Sequence, residues 1–195
     1  MTAPRPRDSQ RARLYRAEGL VDAGRRLPTV ERMQAWVDAL LASDWFVARW
    51  GSKSLEVRPG FGHRRATADQ VNGVLQMPKW ARSELVLLHE VAHCITPPTV
   101  ASHGPEYAGV LLALARRGMS PATAQRLEDA FAAERVRWTL AAVPEPRAGW
   151  PSVAKSRQAA AWARTAGASV GDGPTDSLIA AHQRDPADIV DHFDS

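Results

Sequence analysis

The sequence predicts an α+β fold, and three observations carry that reading. Helical periodicity opens the chain and returns from residue 83 onward. Short alternating or β-branched runs cluster between residues 45 and 77 instead of alternating with helices, which points to a small mixed sheet beside a helical body. Proline and glycine punctuate the chain between these runs, at Pro28, Pro59-Gly60, Pro78, Pro97-Pro98 and Gly118.

In chain order, residues 1–6 are expected to be disordered. Leu14, Tyr15, Ala17, Leu20 and Val21 make an amphipathic helix within 8–22. Gly24 and Pro28 interrupt it, and Thr29 caps a second helix carrying Val30, Met33, Trp36, Val37, Leu40 and Leu41. Trp45–Trp50 reads as an aromatic strand, and Ser54–Arg58 as a strand with Leu55 and Val57 on one face. A turn at Pro59-Gly60 would let Arg64–Ala68 pair with it, leaving His63 as a solvated turn residue. Val71–Met77 reads as an edge strand in which Gly73, Val74, Leu75 and Gln76 could pair with an extended peptide. Gly73 would admit another backbone at close range. Ser83 is the expected cap of an apolar helix, with Glu84 at its positive end and Pro97-Pro98 as its stop. Pro105–Arg117 forms the next helix, and Ser120-Pro121 opens another that runs to Leu140. These segments make one domain over 7–143. A linker at 144–151, a helical hairpin appendage over 152–185 around Trp162, Val170 and Ile179, and a disordered end at 186–195 follow.

The chemistry concentrates in His89-Glu90-Val91-Ala92-His93. Residues four apart on a helix share a face one turn above each other, so both imidazoles can reach one metal ion. Glu90 stands beside them, rotated by about 100°, where it can take a proton from water held at that ion. This is the His-Glu-x-x-His arrangement of zinc hydrolases, with Glu as general base. Leu85, Val86, Leu87, Leu88, Val91, Ala92 and Ile95 make the helix apolar nearly all round, hence buried. Unpartnered polar groups in such a helix are costly, and a metal would satisfy them. Catalytic zinc takes three protein ligands and keeps a fourth position for water, and His103 is the next histidine. His89, His93 and His103 are therefore the expected ligands of one zinc ion, with Glu90 catalytic. Tyr107 and Glu106 are candidates for steadying an oxyanion or supporting the ligands, although Glu106 also suits the first turn of a helix. Cys94 reads as a small buried apolar residue.

His89-Glu90-x-x-His93 followed by His103-Gly104-Pro105-Glu106-Tyr107 resembles the SprT-like and Spartan-type zinc metalloproteases, whose third ligand is the histidine of a very similar segment. The spacing between the two motifs is shorter here, so the connecting loop differs. The opening Arg7-Asp8-Ser9-Gln10-Arg11 through Tyr15-x-Ala17-Glu18 is similar to a family of metallohydrolases of actinobacteria and their phages, over about residues 7–142. These resemblances imply a zincin-like fold, a zinc site, and protein substrates, including proteins attached to DNA. In the tail, Ala161-Trp162-Ala163-Arg164, Val170, Pro174 and Ile179-Ala180-Ala181-His182 resemble the DNA-binding domain of the actinobacterial nucleoid silencer. That domain reads the minor groove with Arg-Gly-Arg. Gly171-Asp172-Gly173 stand in its place, so the groove-reading chemistry is missing.

Composition bounds the rest. No apolar run approaches a membrane span, and the basic N-terminus has no apolar stretch behind it, which predicts no secretory leader. The single cysteine excludes an internal disulfide and suits a reducing cytoplasm. Residues 1–143 hold 20 Lys+Arg against 14 Asp+Glu, a net of +6, whereas residues 144–195 hold 5 against 7, a net of −2. Weak nucleic-acid contact is thus expected of the N-terminal domain alone. The leading expectation is a metallopeptidase acting on protein or peptide substrates. The alternatives are a metal-dependent amidohydrolase of non-peptide substrates, and a non-catalytic module that keeps zinc to stabilise a DNA- or protein-binding surface.

Overall fold

Among the described residues, buried hydrophobic faces account for the packing of six α-helices and one three-stranded sheet. A computed structural model describes residues 8–62 and 65–145. The linker, the appendage, both expected disordered ends and His63 lie wholly or largely outside the described residues. Helix α1 (Arg11–Gly19) buries Leu14 and Ala17. Helix α2 (Val30–Ala42) buries Met33, Trp36, Val37, Leu40 and Leu41, and the Thr29 hydroxyl caps it by accepting from the Arg32 amide.

Residues 44–50 depart from expectation. They form helix α3 (Asp44–Trp50), because the Ser43 hydroxyl accepts from the Phe46 amide and starts a helical turn. Its aromatic residues pack as Trp45–Trp50 and Phe46–Trp50 pairs.

Strands β1 (Glu56–Pro59), β2 (Thr67–Asp69) and β3 (Val74–Met77) form a sheet in the order β1-β3-β2. β1 runs parallel to β3 with Glu56 opposite Val74, and β2 runs antiparallel to β3 with Ala68 opposite Leu75. β2 therefore pairs with β3 and not with β1. The expected peptide-pairing edge at Gly73, Val74, Leu75 and Gln76 is corrected by the same topology. β3 is central, with its hydrogen-bonding groups engaged on both sides. Gly73 does permit a close approach (φ +65°), but the backbone it meets is Ser54 of this chain, and its carbonyl accepts from the Glu56 amide. β1's outer edge is covered by Gln34, whose amide group accepts from the Val57 amide and donates to the Leu55 carbonyl. β2's outer edge has no paired strand among the described residues.

Helix α4 (Glu84–Ile95) is the core of the molecule: nine of its twelve residues are buried. Ser83 does not cap it through its side chain. Instead the first amides of the helix, Glu84 and Leu85, donate to the Arg25 and Ala23 carbonyls of the α1–α2 connection. Glu84 is buried and paired with Arg25, at 2.7 Å. The opening of α4 is thus tied to the preceding chain by backbone and ion pair together.

Helix α5 (Pro105–Gly118) packs along α4, and helix α6 (Pro121–Ala133) packs on α5 and α1. α6 stops at Ala133, short of the expected Leu140, because Arg135 takes a left-handed conformation (φ 56°). The chain then crosses back over α5, where the Thr139 amide donates to the Pro105 carbonyl at 3.0 Å. The crossing is possible only because position 109 has no side chain, since a Cβ there would overlap the Thr139 carbonyl. Among the described residues no helix is long and apolar enough to cross a membrane.

Gly109→Ala is predicted to destabilise the protein by about 1–3 kcal/mol, since overpacking forces two backbones apart. Denaturant unfolding measures it. An unchanged midpoint would show that residues 136–142 do not pack against α5 in solution.

Candidate metal centre

Helical spacing places His89 and His93 on one face of α4, and their Nε2 atoms lie 3.2 Å apart. Two nitrogens on one tetrahedral zinc, each about 2.05 Å from it, stand about 3.3 Å apart. The third imidazole arrives from the other side of a short loop. Pro97 and Ala101 accept from the Val100 and Gly104 amides, and these turns deliver His103 to the start of α5. His103 is 5% exposed, as is His89. One ligand atom from each of the three histidines falls within 4.8 Å of the others. The sequence-predicted triad is therefore assembled and could hold a metal ion.

Nothing in the histidine motif announces what orients these rings. The Glu18 carboxylate lies 2.8 Å from His89 Nδ1, and the Asp8 carboxylate lies 2.7 Å from His103 Nδ1. A carboxylate can only accept, so each Nδ1 carries the proton and each Nε2 turns a lone pair toward the shared position. Both carboxylates come from the N-terminal segment. Arg11, Tyr15 and Glu18 follow at helical spacing on one face of α1, while Leu14 and Ala17 bury the other. The segment is held in place by Gln10, whose side chain donates to the Arg137 carbonyl and accepts from the Arg137 amide, and by the Arg16–Glu134 ion pair. Asp8, Tyr15 and Glu18 were in view in the sequence as part of the opening motif, without an assigned role.

Tyr107 forms the floor of the site. Its ring lies 4.5–5.4 Å from the three imidazoles, centre to centre, and it is fully buried. Its hydroxyl donates to the His89 carbonyl at 3.0 Å. Its proton is thus engaged by the α4 backbone next to a candidate ligand. Glu106 lies in the first turn of α5 and does not join the histidine group.

The electrostatics suit a cation. Burial, reinforced by the charges of His89 and His103, pushes the His93 imidazole down to about 3, so its lone pair is free at neutral pH. Burial also lowers His103, against the Asp8 hydrogen bond. In His89 burial acts downward too, but the charge and hydrogen bond of Glu18 outweigh it and the pKa rises. Burial lifts Glu90 to about 7, partly offset by His89. Three carboxylates, Asp8, Glu18 and Glu90, surround the imidazoles, while Arg11 is the basic group whose charge reaches all three rings. One Asp8 oxygen is buried without a hydrogen-bond partner among the described residues. A divalent cation would balance this excess of negative charge. Cys94 is half-buried, and burial pushes its thiol up to about 11, so it remains a neutral bystander.

No protein-family model, curated protein or solved structure matches the chain.

Glu18→Gln and Asp8→Asn are each predicted to lower zinc affinity by about 10–100-fold, the range typical of lost ligand-orienting partners. Competition titration against a chromogenic chelator measures this. Wild-type affinity in both variants would remove the carboxylates from the metal site.

Proposed function

We propose that the protein is a zinc-dependent hydrolase of zincin-like build, most concretely a metallopeptidase acting on protein or peptide substrates. One observation carries the reading. Two of the three carboxylates at the site are engaged in orienting histidines, whereas Glu90 is 5% exposed and accepts no hydrogen bond from any described residue. A buried carboxylate left unpaired is expensive. It is expected where the group has to accept and release a proton.

The donor set fits zinc: three imidazoles, with Nδ1 of His89 and His103 on carboxylates and no fourth protein ligand in the group among the described residues. Bound zinc would supply Lewis acidity, polarising a carbonyl oxygen and lowering the pKa of water. The chain's own contribution follows from Glu90. It takes a proton from water as the water oxygen bonds to the amide carbon. It then returns that proton to the nitrogen as the carbon–nitrogen bond breaks. In the metal-free chain burial raises this carboxyl to about 7, and a proton acceptor and donor works best with a pKa near the operating pH.

Protein as the substrate class is supported by the likeness of His103-Gly104-Pro105-Glu106-Tyr107 to the corresponding segment of SprT-like and Spartan-type proteases. The unpaired outer edge of β2, which packs against α4, could receive an extended peptide by strand addition. Substrates attached to DNA would meet the basic 1–143 segment, with its net charge of +6.

Glu90→Gln is expected to keep stoichiometric zinc and to lose casein hydrolysis by about 10²–10⁴-fold, the usual contribution of a general base. Metal analysis and turnover measured on the same preparation test this. Full turnover in a zinc-loaded variant would remove Glu90 from the chemistry.

A further inference from the structure

With Tyr107 committed to the α4 backbone, the site needs another donor for the oxygen on which charge develops. We propose that Tyr15 is a catalytic residue whose phenol donates a hydrogen bond to the substrate's carbonyl oxygen as that oxygen becomes negative. The inference rests on the hydrolase reading above.

Tyr15 sits on α1 between Arg11 and Glu18, on the face that meets the histidines. Its ring stacks on His89 with centroids 5.5 Å apart and planes 21° from parallel. Its hydroxyl lies 3.4 Å from His103 Nε2. That is the nitrogen facing the metal position, since Nδ1 of the same ring is held by Asp8. At 3.4 Å the contact is long for a hydrogen bond from a hydroxyl, so the phenol is not firmly committed there. Once the Nε2 lone pair is engaged by a cation, this acceptor is lost. The phenol would then be free to donate to an oxygen that a substrate brings beside His103.

Exposure separates the two tyrosines of the site. Tyr15 is 40% exposed, whereas Tyr107 is fully buried. An entering substrate can therefore touch Tyr15 and cannot touch Tyr107. The Arg11 guanidinium lies 5.5 Å from the Tyr15 ring centre, which restrains the ring against the histidines. Arg11 is exposed and adds positive charge on the open side of the site. The phenol keeps its proton throughout: it donates a hydrogen bond, and the proton that is transferred travels through Glu90.

The test uses the full chain and its Tyr15→Phe variant, each loaded with cobalt(II) in place of zinc, with acetohydroxamate as the oxyanion probe. Phenylalanine keeps the ring and removes only the hydroxyl. Hydroxamate binding, followed by the visible absorption of cobalt, is expected to weaken about 10-fold or more, as for loss of a hydrogen bond to a charged oxygen. Metal affinity should remain within about 3-fold of wild type. On casein, kcat should fall by about 10²–10³-fold, the range for loss of an oxyanion donor, with KM nearly unchanged. Wild-type hydroxamate affinity in the variant would overturn the assignment. So would a fall in metal affinity that accounts for the whole effect. If wild-type protein fails to cleave casein while hydroxamate binding still depends on the phenol, the donor role stands and the peptidase reading falls.

Discussion

Two carboxylate–imidazole hydrogen bonds, Glu18 to His89 and Asp8 to His103, are the interactions on which the site depends. Helical spacing brings two histidines together and a loop brings the third, but proximity alone leaves each ring free to choose its tautomer. The carboxylates remove that choice for two of the three rings and aim their lone pairs at one point. Because both acceptors belong to the N-terminal segment, the site exists only when α1 is docked. Much of the remaining architecture serves that docking. Gln10 is tied to the Arg137 backbone, Arg16 to Glu134, and the α1–α2 connection hydrogen-bonds the opening of α4.

This arrangement would couple the binding of a metal ion to folding. α4 carries two histidines and a glutamate in an otherwise apolar and buried helix. Without a cation the Nε2 atoms of His89 and His93 lie 3.2 Å apart with His103 close by, and the His93 pKa is driven down to about 3. Such crowding of lone pairs is tolerated in a metal-free protein at a cost in stability, and a bound cation reverses its sign. The coupling runs through the helices, since the ligands come from α4 and the start of α5, while the sheet meets α4 along β2 and β3.

The parts of the fold legible in the sequence were those with local physical signatures. Thr29 as a cap, Pro105 as the first residue of α5, and the apolar run of α4 all act within one or two turns. The His89–His93 pair was legible because its spacing is set by the helix itself, and His103 because it is the next histidine after a loop long enough to turn the chain back. Residues 44–50 were misread because a seven-residue aromatic segment is too short to show a period, and the Ser43 cap was the better signal. The end of α6 carries no glycine or proline; Arg135 adopts the left-handed conformation instead. The central place of β3 could not be read locally, since parallel pairing with β1 is decided by the path of the whole β1–β3 segment. The roles of Asp8 and Glu18 were not legible for a related reason. A carboxylate on the polar face of α1, as Glu18 is, or just ahead of that helix, as Asp8 is, looks solvated until the partner 71 or 95 residues away is placed beside it.

The division of labour among the three carboxylates bears on whether a bound metal would be structural or reactive. A structural zinc is closed by four protein donors, and the groups near enough to serve as the fourth are few. Cys94 follows His93 in sequence, but its thiol is pushed up to about 11 and it is absent from the ligand group. Tyr107 is spent on a backbone carbonyl, and Glu106 stands apart at the first turn of α5. Asp8 and Glu18 already hold the Nδ1 protons, so recruiting either as a ligand would release the imidazole it orients. Glu90 and Tyr15 remain, Glu90 next to His89 on α4 and Tyr15 3.4 Å from His103 Nε2, and neither is tightly held by another described group. On the proposed reading, Glu90 as base and Tyr15 as hydroxyl donor beside two carboxylate-oriented imidazoles would serve a reactive centre, whereas a purely structural site would gain nothing by keeping either one free.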